Sequence, residues 1–256
     1  SSDVCSSDLS PLDIRDIKSC QQQEVFILKT TIAEPKSAKT VNSFDAIKEA
    51  HKLSGKAEDL KQYYDQWSRA YDQDVDNEDY CGPDYIAAYL DLLPKDDGKF
   101  LNLRNRKIEI LDAGCGTGLV GIALRRKGYQ NVDGFDLSHG MVEEAEKTEA
   151  YRNLTGGCDM TKPIETYPDN RYDAAISCGV FTLGHVPPTA LEEMIRFTKP
   201  GGLVVVSTRK SYYDSTDFQG VCDQLQAENK AKLVSSIIDG PYIAEEGAHY
   251  WAFRVC

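Results

Sequence analysis

Lys107-Ile-Glu-Ile-Leu-Asp-Ala-Gly-Cys-Gly-Thr-Gly118 decides the fold of this chain. A short, mostly apolar run, Ile108 to Leu111, stops at an acid, Asp112, and glycines follow at alternate positions, Gly114, Gly116 and Gly118. A helical pattern begins at once with Leu119, Val120, Ile122, Ala123 and Leu124. The run reads as a buried strand, the glycines as a tight turn, and the pattern after them as a helix N-terminus. In an α/β sheet this arrangement binds a nucleotide-like cofactor. Glycines let the backbone approach the ligand and adopt conformations that side chains forbid.

The spacing narrows the choice of nucleotide. A dinucleotide site wants Gly-x-Gly-x-x-Gly, and here the third required place holds Leu119, with the glycine one step early at 118. A phosphate-binding loop of the Gly-Lys-Ser/Thr type is absent from the stretch.

Outward from the turn, strand and helix patterns alternate. Strands are predicted at 107–112, 131–136, 152–158, 171–178 and 201–208, and helices at 118–128, 139–150 and 188–198. Repeated βα crossover implies a parallel sheet. Lys232–Ile238 and His249–Val255 are both strand-like with no helix between them, so the sheet is expected to finish with an antiparallel pair. Before the turn, helices are predicted at 43–53, capped by Ser43, at 55–71, and at 83–93, with Pro83 suited to a first turn and Pro94 to a stop. Asp96-Asp97-Gly98 reads as a linker.

The turn resembles motif I of the class I S-adenosylmethionine-dependent methyltransferases, in which Asp-x-Gly-x-Gly-x-Gly follows the first strand. The resemblance continues through Val132-Asp-Gly-Phe-Asp-Leu-Ser138, Gly157-Cys-Asp-Met160, Arg171-Tyr-Asp-Ala-Ala-Ile-Ser-Cys-Gly-Val180 and Phe197-Thr-Lys-Pro-Gly-Gly-Leu-Val-Val-Val206. It covers roughly residues 60–255. Tyr64-Asp-Gln-Trp-Ser-Arg-Ala-Tyr-Asp-Gln-Asp-Val75 is similar to the N-terminal segment of the methyltransferase-like 27 group, for which the resemblance supplies no substrate. It implies a Rossmann-like α/β fold, a seven-stranded, mostly parallel sheet with a reversed last strand, preceded by an N-terminal helical lid. The corresponding division is an irregular extension at 1–40, a lid at 41–98 and a cofactor-binding domain at 99–256.

The resemblance implies S-adenosyl-L-methionine as cofactor and S-adenosyl-L-homocysteine as product. Its contacts are expected from Asp112, Gly114, Cys115, Gly116, Gly118 and Leu119 at the first turn. Asp136, Leu137, Ser138 and Met141 follow at the second, Asp159 and Met160 at the third, and Cys178 and Gly179 at the fourth. Asp136 would accept hydrogen bonds from the ribose hydroxyls, and Asp159 and Met160 would meet the adenine. Ser138 is the better cap for the helix that follows, which leaves Asp136 for the ribose. Asp159 also reads as an acid capping its own turn.

Tyr64, Trp67 and Tyr71 share one helical face, a pattern that is more often core than site. The alternative is that Tyr71 contacts the cofactor while Tyr64 and Trp67 border the substrate, since a sulfonium suits aromatic faces. Phe181, His185, Tyr212 and Tyr213 follow the fourth and fifth strands, at the sheet edge where substrate is expected. His185 is the one candidate general base for an alcohol or phenol acceptor, and an amine, thiol or imidazole acceptor needs none. His139 is expected to face solvent. The acids of Asp72–Asp79 and Glu245-Glu246 read as solvated surface.

The chain has 256 residues and a formal net charge of -12, which argues against a nucleic-acid partner. No apolar stretch reaches membrane-span length, and no signal-peptide pattern is present. Eight cysteines, none paired as Cys-x-x-Cys or spaced with histidine as zinc ligands, point to a reducing compartment, the cytoplasm, and to no metal. Ser1–Leu9 is a near-repeat that reads as a translated adapter remnant and is set aside. Glu24–Leu28 fits either a strand or a helix, and the oligomeric state is open. The expected function is methyl transfer to a small-molecule acceptor. A protein substrate and a non-catalytic cofactor-binding subunit are the alternatives. The first is disfavoured by Cys178-Gly-Val-Phe where peptide-methylating relatives carry Asn-Pro-Pro-Tyr.

Overall fold

Seven strands form one sheet: β1 (Glu109–Ala113), β2 (Asn131–Asp136), β3 (Asn153–Gly156), β4 (Tyr172–Phe181), β5 (Thr198–Arg209), β6 (Ala231–Gly240) and β7 (Ala248–Val255). The computed structural model describes residues 43–53, 56–93 and 102–256. The expectations placed on Ser1–Leu9, Glu24–Leu28, Gly55, Pro94 and Asp96–Gly98 lie outside them. The strand order is β3-β2-β1-β4-β5-β7-β6. β1 runs parallel to β2 and β4, β2 to β3, and β4 to β5. β7 is antiparallel to both β5 and β6, which gives the expected reversed last strand. The chain winds outward from β1 to β3 and then returns to place β4 on the other side of β1. The carboxyl ends of β1 and β4 therefore form the switch point, where open α/β sheets bind ligands.

The strands read as apolar runs because helices cover the sheet. Leu111, Phe135, Ala175, Val204 and Phe253 are all fully buried. Among the helices, α1 spans Ser43–Lys52, α2 Ala57–Asn77, α3 Gly82–Leu92, α4 Leu119–Arg126 and α5 His139–Lys147. α6 covers Leu191–Phe197, α7 Lys210–Ser215 and α8 Phe218–Ala227. No helix among the described residues is long and apolar enough to cross a membrane.

Several boundaries differ from expectation for local reasons. α2 runs on to Asn77, because its acid-rich end still buries Val75 and bonds Asp74 to Trp67. β5 starts at Thr198, not 201, because Pro200 lacks the N–H that would prolong the helix and Gly201, at φ 82°, turns the chain into the strand. The predicted helix at 188–198 is a 3₁₀ turn, Pro188–Ala190, leading into the shorter α6. α7 and α8, between β5 and β6, have no counterpart in the sequence reading. Ser138 caps α5 as expected, its Oγ accepting from the Met141 N–H at 3.0 Å.

Candidate active site

The turn from β1 into α4 is built on left-handed glycines, with φ of 77° at Gly114, 54° at Gly116 and 97° at Gly118. A Cβ on Gly114 would stand 2.2 Å from Val180 Cγ2, whereas one on Gly116 would point into open space. The amides of Gly114 and Cys115 both donate to the Phe135 carbonyl at 2.9 Å, tying the turn to β2. Asp136, at the carboxyl end of β2, accepts from Gly116 N–H and Ser138 N–H, each at 2.9 Å. A carboxylate has about four lone-pair positions, so acceptor capacity remains beyond these backbone bonds. Burial pushes the Asp136 pKa up, and the Ser138 and Gly116 amides oppose that shift.

A cleft of about 940 Å³, counting its open mouth, lies over this turn. Gly114, Cys115, Gly116, Leu119, Asp136, Leu137, Met141, Asp159, Met160, Cys178, Gly179, Tyr64, Tyr71 and His185 all line it. The remaining expected residues do not. Asp112 is fully buried behind the turn, where Tyr151 Oη donates to its Oδ2 at 2.6 Å and Oδ1 has no hydrogen-bond partner among the described residues. Burial raises the Asp112 pKa to about 7. Gly118 and Ser138 are helix-start positions behind the cleft wall.

The expected substrate residues divide in the same way. Phe181 and Tyr212, 1% and 2% exposed, pack with Phe218 in the core, and Tyr212 Oη donates to the Val186 carbonyl at 2.9 Å. Tyr213 stacks on Trp251, with ring centres 5.4 Å apart. Trp67 lines a neighbouring cavity instead of the cleft. Asp159 reaches the cleft, but its Oδ1 accepts from the Thr161 amide and hydroxyl and its Oδ2 pairs with Lys162 at 2.9 Å. The carboxylate therefore caps its own loop, and like that of Asp136 it keeps acceptor capacity toward the cleft.

Helix α2 closes the cleft from above. Asp65 Oδ1 accepts from Ser138 Oγ at 2.6 Å and from Gly140 N–H at 2.9 Å, at the start of α5. One face further along, Asp72 accepts from the Thr117 hydroxyl in the glycine turn. Asp72 stays exposed, as the sequence suggested, and yet is bonded, while Asp74 is half-buried. Between them, Tyr64 Oη lies 2.7 Å from His185 Nε2. His185 Nδ1 lies 2.9 Å from the Leu183 carbonyl, which can only accept, so Nδ1 carries the proton and Nε2 accepts from Tyr64. Burial pushes the His185 pKa down to about 4, against the Leu183 carbonyl and with help from the Arg209 charge, so the ring is neutral.

A second cavity of about 390 Å³ adjoins the cleft and shares Tyr64, Tyr71, Tyr80 and Gly179 with it. Trp67, Thr182, Arg209 and Tyr242 complete much of its wall. Arg209, at the end of β5, is 4% exposed and ion-paired with Glu246 and with Glu245, the latter at 2.9 Å. These two glutamates were also read as solvated surface, and the cation that holds them lies 36 and 37 residues earlier. Tyr80, Tyr242 and Arg209 carried no motif in the sequence.

Comparison with known proteins agrees with this geometry. Residues 84–255 match the family model described as a methyltransferase domain. Human methyltransferase-like protein 27 is 35% identical over 164 residues, which cover 64% of this chain and 62% of that protein. The malonyl-[acyl-carrier protein] O-methyltransferase of Serratia marcescens is 35% identical over 100 residues, 39% of this chain and 38% of the relative. The chain thus spans less than two thirds of these relatives' lengths. The magnesium protoporphyrin IX methyltransferase of Synechocystis PCC 6803, solved with bound S-adenosylhomocysteine, superposes with a TM-score of 0.54 at 16% identity, covering 78% of this chain and 99% of that one.

Fold and site together define the Rossmann-like methyltransferase fold. The chain belongs to the methyltransferase-domain family, and the cofactor that membership implies is S-adenosylmethionine. The residues present fit that group: the acid at the end of β2, the bare backbone of Gly116 facing open space and the apolar walls of Leu137, Met141 and Met160 are what a ribose, an amino-acid tail and an adenine require.

Proposed function

We propose that this enzyme methylates a small molecule bound beneath the helices of residues 41–98, which act as a lid over the cofactor domain of residues 99–256. The observation that carries this reading is the second cavity. It meets the cofactor cleft along Tyr64, Tyr71, Tyr80 and Gly179, and its walls come from the lid helices as well as from the sheet edge. A small acceptor fits between lid and sheet, whereas a folded polypeptide has to displace α1 and α2 first.

Bound S-adenosylmethionine supplies a methyl group activated by positive sulfur. The chain's own residues align, dry and deprotonate. Asp136 holds the ribose, Leu137 and Met160 flank the adenine, and Gly116 with Cys115 borders the methionine end. Tyr71 covers the cofactor from the lid. His185 is the proton acceptor, its tautomer set by the Leu183 carbonyl and its Nε2 addressed by Tyr64. The six described cysteines are free, in keeping with a reducing compartment, for which the cytoplasm is the proposal.

The test is calorimetric titration with S-adenosylmethionine, followed by incubation with labelled cofactor and a metabolite extract. Micromolar cofactor binding, lost in Asp136→Ala, and a label in a low-mass product support the reading. Label appearing only in protein would replace the small-molecule acceptor with a polypeptide.

A further inference from the structure

We infer that the second cavity takes a flat, ring-bearing acceptor through an acidic hydroxyl, whose oxygen is held by Tyr80 and Tyr242 at the bulge of Gly179. The inference rests on the methyltransferase reading and narrows its acceptor.

Shape comes first. The rings of Tyr64, Trp67, Tyr71, Tyr80 and Tyr242 line the cavity beside the aliphatic Ile47, Val75 and Ile243. Tyr64 and Trp67 are stacked with ring centres 5.8 Å apart, and Trp67 meets Tyr71 edge-on at 4.8 Å. Such walls favour a planar partner over a branched aliphatic one.

The second arrangement is a pair of hydroxyls. Tyr80 Oη and Tyr242 Oη lie 3.4 Å apart. They converge on Gly179, where a Cβ would stand 3.1 Å from the Tyr80 oxygen and 3.4 Å from that of Tyr242. Gly179 has φ of 82° and lies in the part of β4 where its pairing with β5 slips, between Ser177 and Phe181. This is the carboxyl end of the switch-point strand, and Gly179 borders both cavities. Two phenols therefore stand where an acceptor atom has to sit to meet the cofactor. Burial raises the pKa of both, so they remain donors.

Charge selects between acceptors that this shape admits. Arg209 faces the cavity, while the carboxylates of Glu245 and Glu246 that hold it do not line it. Its positive charge opposes the burial that raises the pKa of Tyr71 and Tyr242 and adds to the lowering at His185. The acids near the wall are engaged: Asp74 by Trp67 Nε1 at 2.7 Å, Asp72 by the Thr117 hydroxyl and Asp136 by the Gly116 and Ser138 amides. A positive field favours an oxyanion and opposes an ammonium group. The acceptor oxygen forms its bond to the methyl carbon as the sulfur–carbon bond breaks with its electron pair left on sulfur. The acceptor proton passes by way of the Tyr64 hydroxyl to His185 Nε2. One positive charge disappears from sulfur as one appears on imidazole, so the site keeps its total.

The experiment uses the full chain saturated with S-adenosylhomocysteine and titrated with 4-nitrophenol, whose absorbance reports its own ionisation. Benzylamine and benzyl alcohol are titrated by calorimetry alongside. The expected result is binding of 4-nitrophenol with its phenolate fraction raised at least fivefold over free solution at the same pH, and weaker binding of both controls. The Tyr80→Phe/Tyr242→Phe double variant should bind it about tenfold more weakly, as two lost hydrogen bonds imply, and by a larger factor than any loss of S-adenosylhomocysteine affinity, since Tyr80 also borders the cofactor cleft. Arg209→Gln should return the bound phenol to its free ionisation. Because that variant can also loosen the loop of Glu245 and Glu246, the double tyrosine variant carries the test independently. No binding of 4-nitrophenol by protein that still binds S-adenosylhomocysteine, binding as the neutral phenol, or equal affinity for benzylamine would overturn the inference and leave the methyltransferase reading intact. Loss of S-adenosylhomocysteine binding by the unaltered chain would instead overturn that reading.

Discussion

Asp72 of α2 accepts a hydrogen bond from the Thr117 hydroxyl in the glycine turn, so α2 is bonded directly to the loop beneath the cleft. Asp65, two helical turns earlier, makes the matching bonds to Ser138 and Gly140 at the start of α5. The two carboxylates lie on one face of α2 and clasp it across the cleft. The Asp65→Ala/Asp72→Ala double variant is expected to release S-adenosylhomocysteine about a hundredfold faster at little change in far-ultraviolet dichroism, its three lost bonds contributing about 1 kcal/mol each. Asp72→Asn, whose carbonyl still accepts from Thr117, should exchange at nearly the original rate. Stopped-flow displacement measures both, and an unchanged release rate in the double variant would show that the lid opens elsewhere.

The clasp also marks where sequence reading ended. The strand, turn and helix at 107–124 are local, and their glycine spacing alone disfavoured a dinucleotide site. The acid at Asp136 and the helix-free ending were legible because they are fixed by strand ends and by the chain's own period. Asp74 and Glu246 are half-buried where solvated surface was expected, and Asp72 and Glu245 are exposed as expected but bonded, because an acid's partner is set by tertiary structure: Thr117, Trp67 and Arg209 are not signalled by any neighbour in sequence. Phe181 and Tyr212 erred in the other direction. A position just past a strand predicts the correct edge of the sheet, but not whether the side chain turns to the cleft or to the core.

Gly116 and Gly114 separate binding from folding. Alanine at 116 meets no atom within 4 Å and bears only the strain of φ 54°, about 1–2 kcal/mol. Its methyl group projects into the cleft, so cofactor affinity should fall at least about tenfold while the melting temperature drops by a few degrees. Alanine at 114 drives its Cβ into Val180 and should lower the melting temperature far more. Calorimetry and thermal melts of the two variants check this. Equal affinity in Gly116→Ala and the unaltered enzyme would remove the turn from the binding site.

The Tyr64–His185 pair sets an expectation for pH. His185 titrates near 4 in the fold because its surroundings withdraw it from water, against about 6.5 when unfolded. Between those values the unfolded chain binds a proton that the folded chain does not, so this residue stabilises less as pH falls from 6.5 toward 4. Activity, for the same reason, should show no acid limb near pH 6.5 and should fall only near pH 5 or below. His185→Asn should lower turnover about a hundredfold, the usual contribution of a general base, with cofactor affinity retained. Tyr64→Phe, which removes the hydroxyl that relays the proton, should lower it by a comparable factor. A pH–rate profile with an acid limb centred at 6.5 in the unaltered enzyme would show that His185 is not buried as described during turnover.

Asp112 gives the opposite dependence. Its carboxyl is fully buried, has one oxygen on Tyr151 and is pushed up to about 7, against about 3.9 when unfolded. Between those values the folded chain holds a proton that the unfolded chain has released, so this group's contribution falls as pH rises from 4 to 7 and stays low above that. In Asp112→Asn the amide carbonyl still accepts from the Tyr151 hydroxyl, and no charge is buried at any pH. The cofactor-free variant should therefore melt above the unaltered protein at pH 8, by a few kcal/mol of stability, and no higher than it at pH 5. Thermal melts at the two pH values decide the matter. A variant that is less stable by the same margin at both would mean that the carboxylate is ionised in the fold and matched by a favourable contact, and that the turn depends on its charge and not only on its hydrogen bond to Tyr151.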